Sequence, residues 1–333
     1  MTKNSRLSFA LAVLILLLAA ALRLYRLDLL PLGLNEQEII DIRLAENARQ
    51  GDVQLFYEVN GQGRDLLYPV ALAAVSSITG PGSIGYHALS AWISIITVAL
   101  VYALAKRLYG DTAGLAAMSL MSYTLFAGIL ARLALRETLL PALVAAVLLA
   151  VALAFPVYWR LRSATTKTSA FAALALLLGG GLYLHPAGLM VTLMVLVYVA
   201  YILFVRRTRT PQMMSYLGFS LLVAAIIATP YIISTIRLPE LSGVTRLLNG
   251  FSESPQPVFE RVVAGFTGLF WRGDSSAVFN VPGRPLIDPI STVLILVGIV
   301  VSLRSWRKPR YALTLIAALL LVPIPLLAPE SPL

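Results

Sequence analysis

Cysteine is absent from these 333 residues, and histidine occurs only as His87 and His185. The first absence excludes disulfides, thiolate metal sites and thiol nucleophiles; the second argues against a histidine-rich metal cluster. Charge is scarce as well, at 13% of residues, against roughly a quarter in an ordinary soluble domain. There is no P-loop, no paired-glycine dinucleotide fingerprint, no G-x-S-x-G and no H-E-x-x-H, so soluble nucleotide chemistry has no visible site. Charged side chains are also missing from the middles of the apolar runs, where a proton-coupled pump commonly carries them. That weakens a lipid or sugar transporter as an alternative.

What is present is oil. Hydrophobic residues make up 59% of the chain and mean hydropathy is +0.83. Repeated apolar runs of bilayer-crossing length predict an all-α, polytopic membrane protein. Leu7 to Leu22 reads as an uncleaved first span, because no small-residue cleavage site follows it. Further spans are expected at 84–105, 112–130, 138–158, 168–185, 187–205, 214–235, 288–303 and 310–328. That makes about nine. Leu66 to Thr79 is short and carries Pro69, so it is expected to lie on the membrane as an interfacial helix. The whole chain reads as one transmembrane domain, with one external loop at 27–83 and a second at 236–287.

Charge orders this arrangement. With the N-terminus inside, Lys3, Lys106, Lys167 and Lys308, which are all the lysines, fall on the inner side together with Arg107, Arg160, Arg206 and Arg307. This follows the positive-inside rule. Of the 16 acidic residues only Asp111 falls inside. Acidic residues contribute little to topology, so their segregation marks the outer face as the chemical one. The net charge of +10 would suggest nucleic acid in a soluble chain; distributed this way it predicts no nucleic-acid partner.

The acidic loop begins at Pro31-Leu-Gly-Leu-Asn-Glu-Gln-Glu38 and continues through Asp41, Glu46, Asp52 and Glu58 to Asp65. Asn35 followed by Glu38 is a capping box for a helix over Glu36 to about Gln50, and that alone accounts for both residues. Capping and catalysis are compatible, since a helix start holds a base rigidly. Arg132 and Arg136 stand four apart, on one face of an expected span, and the outward cations are all Arg. Interfacial snorkelling explains such residues, but Lys would serve equally; the planar guanidinium fork suits phosphate oxygens. His185-Pro186 falls at an outward hairpin, where a hydrogen-bonded structural role is the plainer reading. Asp274 and Arg284 fall in Pro- and Gly-rich turns, where local hydrogen bonds are expected.

Taken in order, several stretches resemble the GT-C glycosyltransferases, and more narrowly family 39, which holds protein O-mannosyltransferases and the aminoarabinose transferases of lipid A. The residues concerned are Pro31-x-Gly-Leu with the acids after it, Glu58-x-Asn-Gly, Arg64-Asp-Leu-Leu-Tyr68, Arg132-Leu-Ala-Leu-Arg136, Arg272-Gly-Asp274 and Asn280-x-Pro-Gly-Arg-Pro285. The resemblance implies a sugar transferase in a bacterial cell membrane, with its N-terminus cytoplasmic and its active face extracytoplasmic. Its donor would be a polyprenyl-phosphate sugar and its acceptor a protein, lipid or glycan, among membrane lipids. No cofactor is implied, and a divalent ion is left open. Glu38 and Glu36 are the expected catalytic carboxylates; Arg132, Arg136 and Arg284 the donor-phosphate ligands; Asp65, Glu58, Asp274 and His185 the supporting polar groups. In that family the acidic pair is usually Asp-Glu, and here Gln37 holds the Asp position. That departure favours, as the alternative, a catalytically impaired member that binds lipid or scaffolds a partner. The chain also ends at Leu333, where family members generally continue, which is expected to affect acceptor recognition most.

Overall fold

The computed structural model describes residues 3–30, 32–60, 62–157, 168–207, 210–252, 257–273 and 281–322. Asp274, Asn280, the inner basic residues Arg160, Arg162, Lys167 and Arg209, and the end of the chain lie outside them.

Helix α1 (Lys3–Leu24) leads to α2 (Glu36–Arg49), a hairpin of β1 (Phe56–Val59) and β2 (Gln62–Asp65), and α3 (Leu67–Thr79). Next come α4 (Ser83–Tyr109), α5 (Asp111–Tyr123), α6 (Leu125–Leu130), a 3-10 turn at Arg136–Thr138 and α7 (Leu139–Ala154). Then follow α8 (Thr168–Leu184), α9 (Gly188–Ala200) with a π turn at Tyr201–Val205, and α10 (Pro211–Arg237). Finally, α11 (Gly243–Ser252), α12 (Val258–Phe270), α13 (Pro289–Arg304) and α14 (Pro309–Leu321) complete the order. Five segments among the described residues are long and apolar enough to cross a membrane: Arg6–Leu24, Ser83–Tyr109, Arg136–Ala154, Gly188–Val205 and Pro211–Arg237. Each remaining expected span holds helix as well, but in shorter pieces.

Local chemistry sets the helix ends. Thr210 caps α10, accepting the Met213 N–H, with Pro211 at the first helical position; Asp288 caps α13 through Ile290 and Ser291, with Pro289 in the same role. Gly110, at φ +99°, makes the tight turn from α4 to α5 that a side chain would strain.

The expected span at 112–130 is two helices. Thr124 turns extended (ψ 122°), and the carbonyls this leaves at the end of α5 are taken by Arg23. Its guanidinium donates to Met121 and Ser122 on α5, to Ala19 on its own helix, and to Ser94 Oγ on α4 at 2.7 Å. A fully buried cation is tolerable only because every face of it meets an oxygen.

The main core lies among α7, α8, α9, α10 and α14, around Leu143, Val147, Leu174, Met194, Leu217 and Leu313. At Gly179 a Cβ would run into Ile227 and the Ala224 carbonyl, so α8 and α10 approach at backbone distance. The outward faces are apolar too. Leu14, Leu17 and Leu18 on α1 and Phe219, Leu222 and Ile226 on α10 are more than half exposed, which suits hydrocarbon as the surrounding solvent.

Candidate active site

The site grows from the first turn of α2. Asn35 Oδ1 accepts the Glu38 N–H at 2.9 Å, and Glu38 Oε2 accepts the Asn35 N–H at 3.0 Å, so the expected capping box is present. Glu38 does more than cap. Its Oε1 accepts the Ala134 N–H at 2.8 Å and faces His87 Nε2 at 3.1 Å, and the residue is 1% exposed. Burial alone would raise this carboxyl, but the donors from His87, Asn35 and Ala134 outweigh it and hold it below its ordinary range. Both oxygens are occupied by groups that fix α2 on α4 and on the 131–135 segment. That is the geometry of an anchor, and leaves little capacity for taking a substrate proton. Glu36, by contrast, is exposed to solvent at the helix start.

Residues 131–135 are not helical. Leu135 is extended (φ −122°, ψ 139°), so the expectation that Arg132 and Arg136 share a helical face is corrected. The break sends the two apart: Arg132 donates to the Tyr25 carbonyl at the end of α1, while Arg136 turns inward. Arg136 Nη1 lies 3.3 Å from Asp65 Oδ2, and its Nε lies 3.3 Å from Glu137 Oε1. Asp65 is 3% exposed, and its Oδ1 accepts the Tyr231 hydroxyl at 3.1 Å. Burial lifts the Asp65 carboxyl above its usual range, although Arg136 and Tyr231 pull the other way.

Asp65 is carried here by the hairpin. Phe56 packs edge-on to Tyr231 on α10, whose ring also meets Tyr183 on α8. A Cβ on Gly63 would collide with the Leu241 carbonyl, and Arg246 on α11 donates to the Gly63 carbonyl at 2.8 Å. The stretch from Leu241 to Arg246 therefore clasps β2. Gly243 likewise sits against the Pro186 ring, bringing in the His185 turn. His185 Nδ1 accepts the Ala187 N–H at 3.1 Å, which leaves the proton on Nε2. Burial, and then Arg136, push this imidazole down to about 4, so it is a neutral donor at physiological pH.

Three residues outside the expected set complete the cluster. Arg64 contacts the Gln37 side-chain oxygen, and burial together with Arg136 lowers its hold on its proton. Asp41, 1% exposed, accepts the Arg136 backbone N–H; Glu137 sits beside Arg136. Arg64 stood in the quoted Arg64-Asp-Leu-Leu-Tyr68 stretch, and Asp41 falls one turn beyond Gln37 on the same face of α2. Neither burial nor convergence was visible in the letters.

The other expected residues lie elsewhere. Glu58 is exposed on β1, and Asp274 is outside the described residues. Arg284 lines a cavity of about 70 Å³ with Tyr123, Thr124 and Asp288, at the break between α5 and α6. Among the described residues no three His, Asp or Glu side chains form a metal-binding group.

The profile of the dolichyl-phosphate-mannose-protein mannosyltransferases matches residues 65–233, from Asp65 through Arg136 and His185 to Tyr231 and beyond. The chain belongs to that family. Helix α2 lies before the matched region. Crystal structures of the Archaeoglobus fulgidus oligosaccharyltransferase share the mannosyltransferase-family chain's fold, the GT-C fold, at 14% identity. The form tethered to an acceptor peptide with the NVT sequon gives a TM-score of 0.63 over 94% of this chain and 46% of that one. The complex with Zn and sulfate gives 0.59 over 93% and 45%. This chain thus spans less than half the length of those structures. No curated protein matches it.

Proposed function

We propose that this member of the mannosyltransferase family transfers a sugar from a polyprenyl-phosphate donor to a protein, lipid or glycan acceptor at the extracytoplasmic face of a bacterial cell membrane. One observation carries the reading. Arg64 and Arg136 are held together, largely out of water, at the junction of α2, the hairpin and the 3-10 turn. Like charges in that position repel, and a phosphate bridging them would turn repulsion into charge-assisted hydrogen bonds. Arg246, bonded to Gly63, and the neutral His185 Nε2–H extend the same donor surface. Such donors stabilise a leaving phosphate as the bond to the sugar breaks.

The contact between Gln37 and Arg64 also supports the alternative, a lipid-phosphate-binding protein without turnover. Purified protein in detergent, given a panel of polyprenyl-phosphate sugars, separates the two. Turnover by wild type, lowered about 10- to 100-fold in Arg64→Gln, supports transfer, since a charge-assisted hydrogen bond is worth about 1.5–3 kcal/mol. Tight binding of polyprenyl phosphate with no turnover of any donor leaves the binding reading instead.

A further inference from the structure

We propose that Asp41 is the general base that takes the acceptor's proton. The inference rests on the transfer reading above and deepens it. Transfer onto a hydroxyl or amide needs a proton acceptor within hydrogen-bond reach of the attacking atom. Four carboxylates belong to the cluster, and their hydrogen bonds sort them. Glu38 is filled by three donors; Asp65 holds Arg136 with one oxygen and Tyr231 with the other. Glu137 also has a buried oxygen without a hydrogen-bond partner, Oε2, but its Oε1 is ion-paired to Arg136, which holds the group as a carboxylate partner of that guanidinium. Asp41 alone has no ion-pair partner within contact distance among the described residues, and its Oδ2 is buried with no hydrogen-bond donor.

A buried polar atom left without a partner costs free energy, and a fold keeps one mainly where a ligand completes it. Asp41 is also anchored for the task. Oδ2 is the bare atom, so the Arg136 backbone N–H is held by the other oxygen, and the carboxylate is fixed by the residue that binds the leaving group. The groups facing it are Arg64 from β2, Arg136 and Glu137 from the 3-10 turn, and Tyr68 from α3. Burial raises this carboxyl to about 7, with Arg64 only partly opposing it, so it takes and returns a proton at working pH.

In the step, the acceptor's oxygen or nitrogen attacks the anomeric carbon, and the bond from that carbon to the phosphate oxygen breaks. The electron pair leaves with polyprenyl phosphate, and the acceptor's proton passes to Asp41 Oδ2, which later returns it to water. Asp41 is covered in the free protein, so a neighbour has to give way. Arg64 is the side chain with somewhere to go, because a donor phosphate is a stronger acceptor than the Gln37 amide it now contacts.

The test compares wild type with Asp41→Asn and Glu137→Gln for donor turnover and for binding of polyprenyl phosphate. Asn keeps the acceptor for the Arg136 N–H, so the fold and phosphate binding are expected to survive while turnover falls about 10²- to 10⁴-fold. The wild-type rate is expected to rise with pH to a plateau above about 7, and the residual rate of Asp41→Asn is expected to lose that rise. Turnover by Asp41→Asn within a few-fold of wild type, or the large loss appearing in Glu137→Gln alone, overturns the assignment while the transfer reading stands. A rate already flat from pH 5 upward overturns it too. Wild type silent with every donor overturns the transfer reading, and the base falls with it.

Discussion

At the scale of single residues, two acids one turn apart on α2 have opposite environments. Glu38 has more donors than burial can outweigh, and Asp41 has fewer. A depressed carboxyl contributes stability above its unfolded value of about 4.5 and loses it as pH falls through the folded value. A raised one works the other way: Asp41 favours the fold while protonated and erodes it as pH climbs from about 3.8 through about 7. Asp65, also raised, acts with Asp41, while His185, held down to about 4, adds stability as pH climbs towards 6.5, so thermal unfolding in detergent is read as each variant against wild type across pH. Asp41→Asn should gain stability relative to wild type as pH climbs from about 3.8 to about 7. Glu38→Gln should weaken the loss of stability in acid and cost about 1–3 kcal/mol, because an amide nitrogen would face one of the N–H groups the carboxylate now accepts. A Glu38→Gln protein as stable as wild type at pH 7 would show that the anchor is dispensable.

At the scale of elements, hydropathy is a property of one dimension, and the positions of the apolar helices were legible for that reason. Breaks inside apolar runs were not. Nothing in Leu120 to Leu135 announces that α5 stops at Tyr123 or that Arg136 opens a 3-10 turn, because the cause is tertiary: Arg23, distant in sequence, takes the freed carbonyls. The hairpin is a different failure. Asn60-Gly61 is a strong turn signal, and Asn60 does adopt φ +52°, but its flanking strands are short and partly polar, so their alternation is faint. The candidate site depends on that unread element, since β2 delivers Arg64 and Asp65 together. Gly63→Ala tests the dependence. The added methyl meets the Leu241 backbone rather than a flexible side chain, so the hairpin has to lift from the Leu241 segment. Hydrogen exchange should quicken at 56–65 while α8 and α10 stay protected, and turnover should fall with it. Unchanged exchange would mean that the Leu241 segment yields instead.

At the scale of the whole molecule, the question is which face the cluster occupies. Helix α3 decides it. Thirteen residues of helix reach about 20 Å, against roughly 30 Å of bilayer hydrocarbon. If α3 lies along the membrane, the hairpin before it and Lys106 at the far end of α4 are on opposite sides. If α3 crosses, they share one. The absence of cysteine makes the chain ready for single-cysteine labelling, and Glu36, Glu58, Lys106 and Lys308 are all exposed positions. A membrane-impermeant maleimide on intact cells should modify Glu36→Cys and Glu58→Cys, and should reach Lys106→Cys and Lys308→Cys only after permeabilisation. Lys106→Cys labelling together with Glu58→Cys would make α3 a span and put the acidic loop beside a lysine-bearing helix end. The reverse pattern, with the α2 and hairpin positions protected in intact cells, would place the cluster on the cytoplasmic side. A donor presented from the outer leaflet could not then reach Arg64 and Arg136, and the proposed reaction would have to draw on a donor from the inner one.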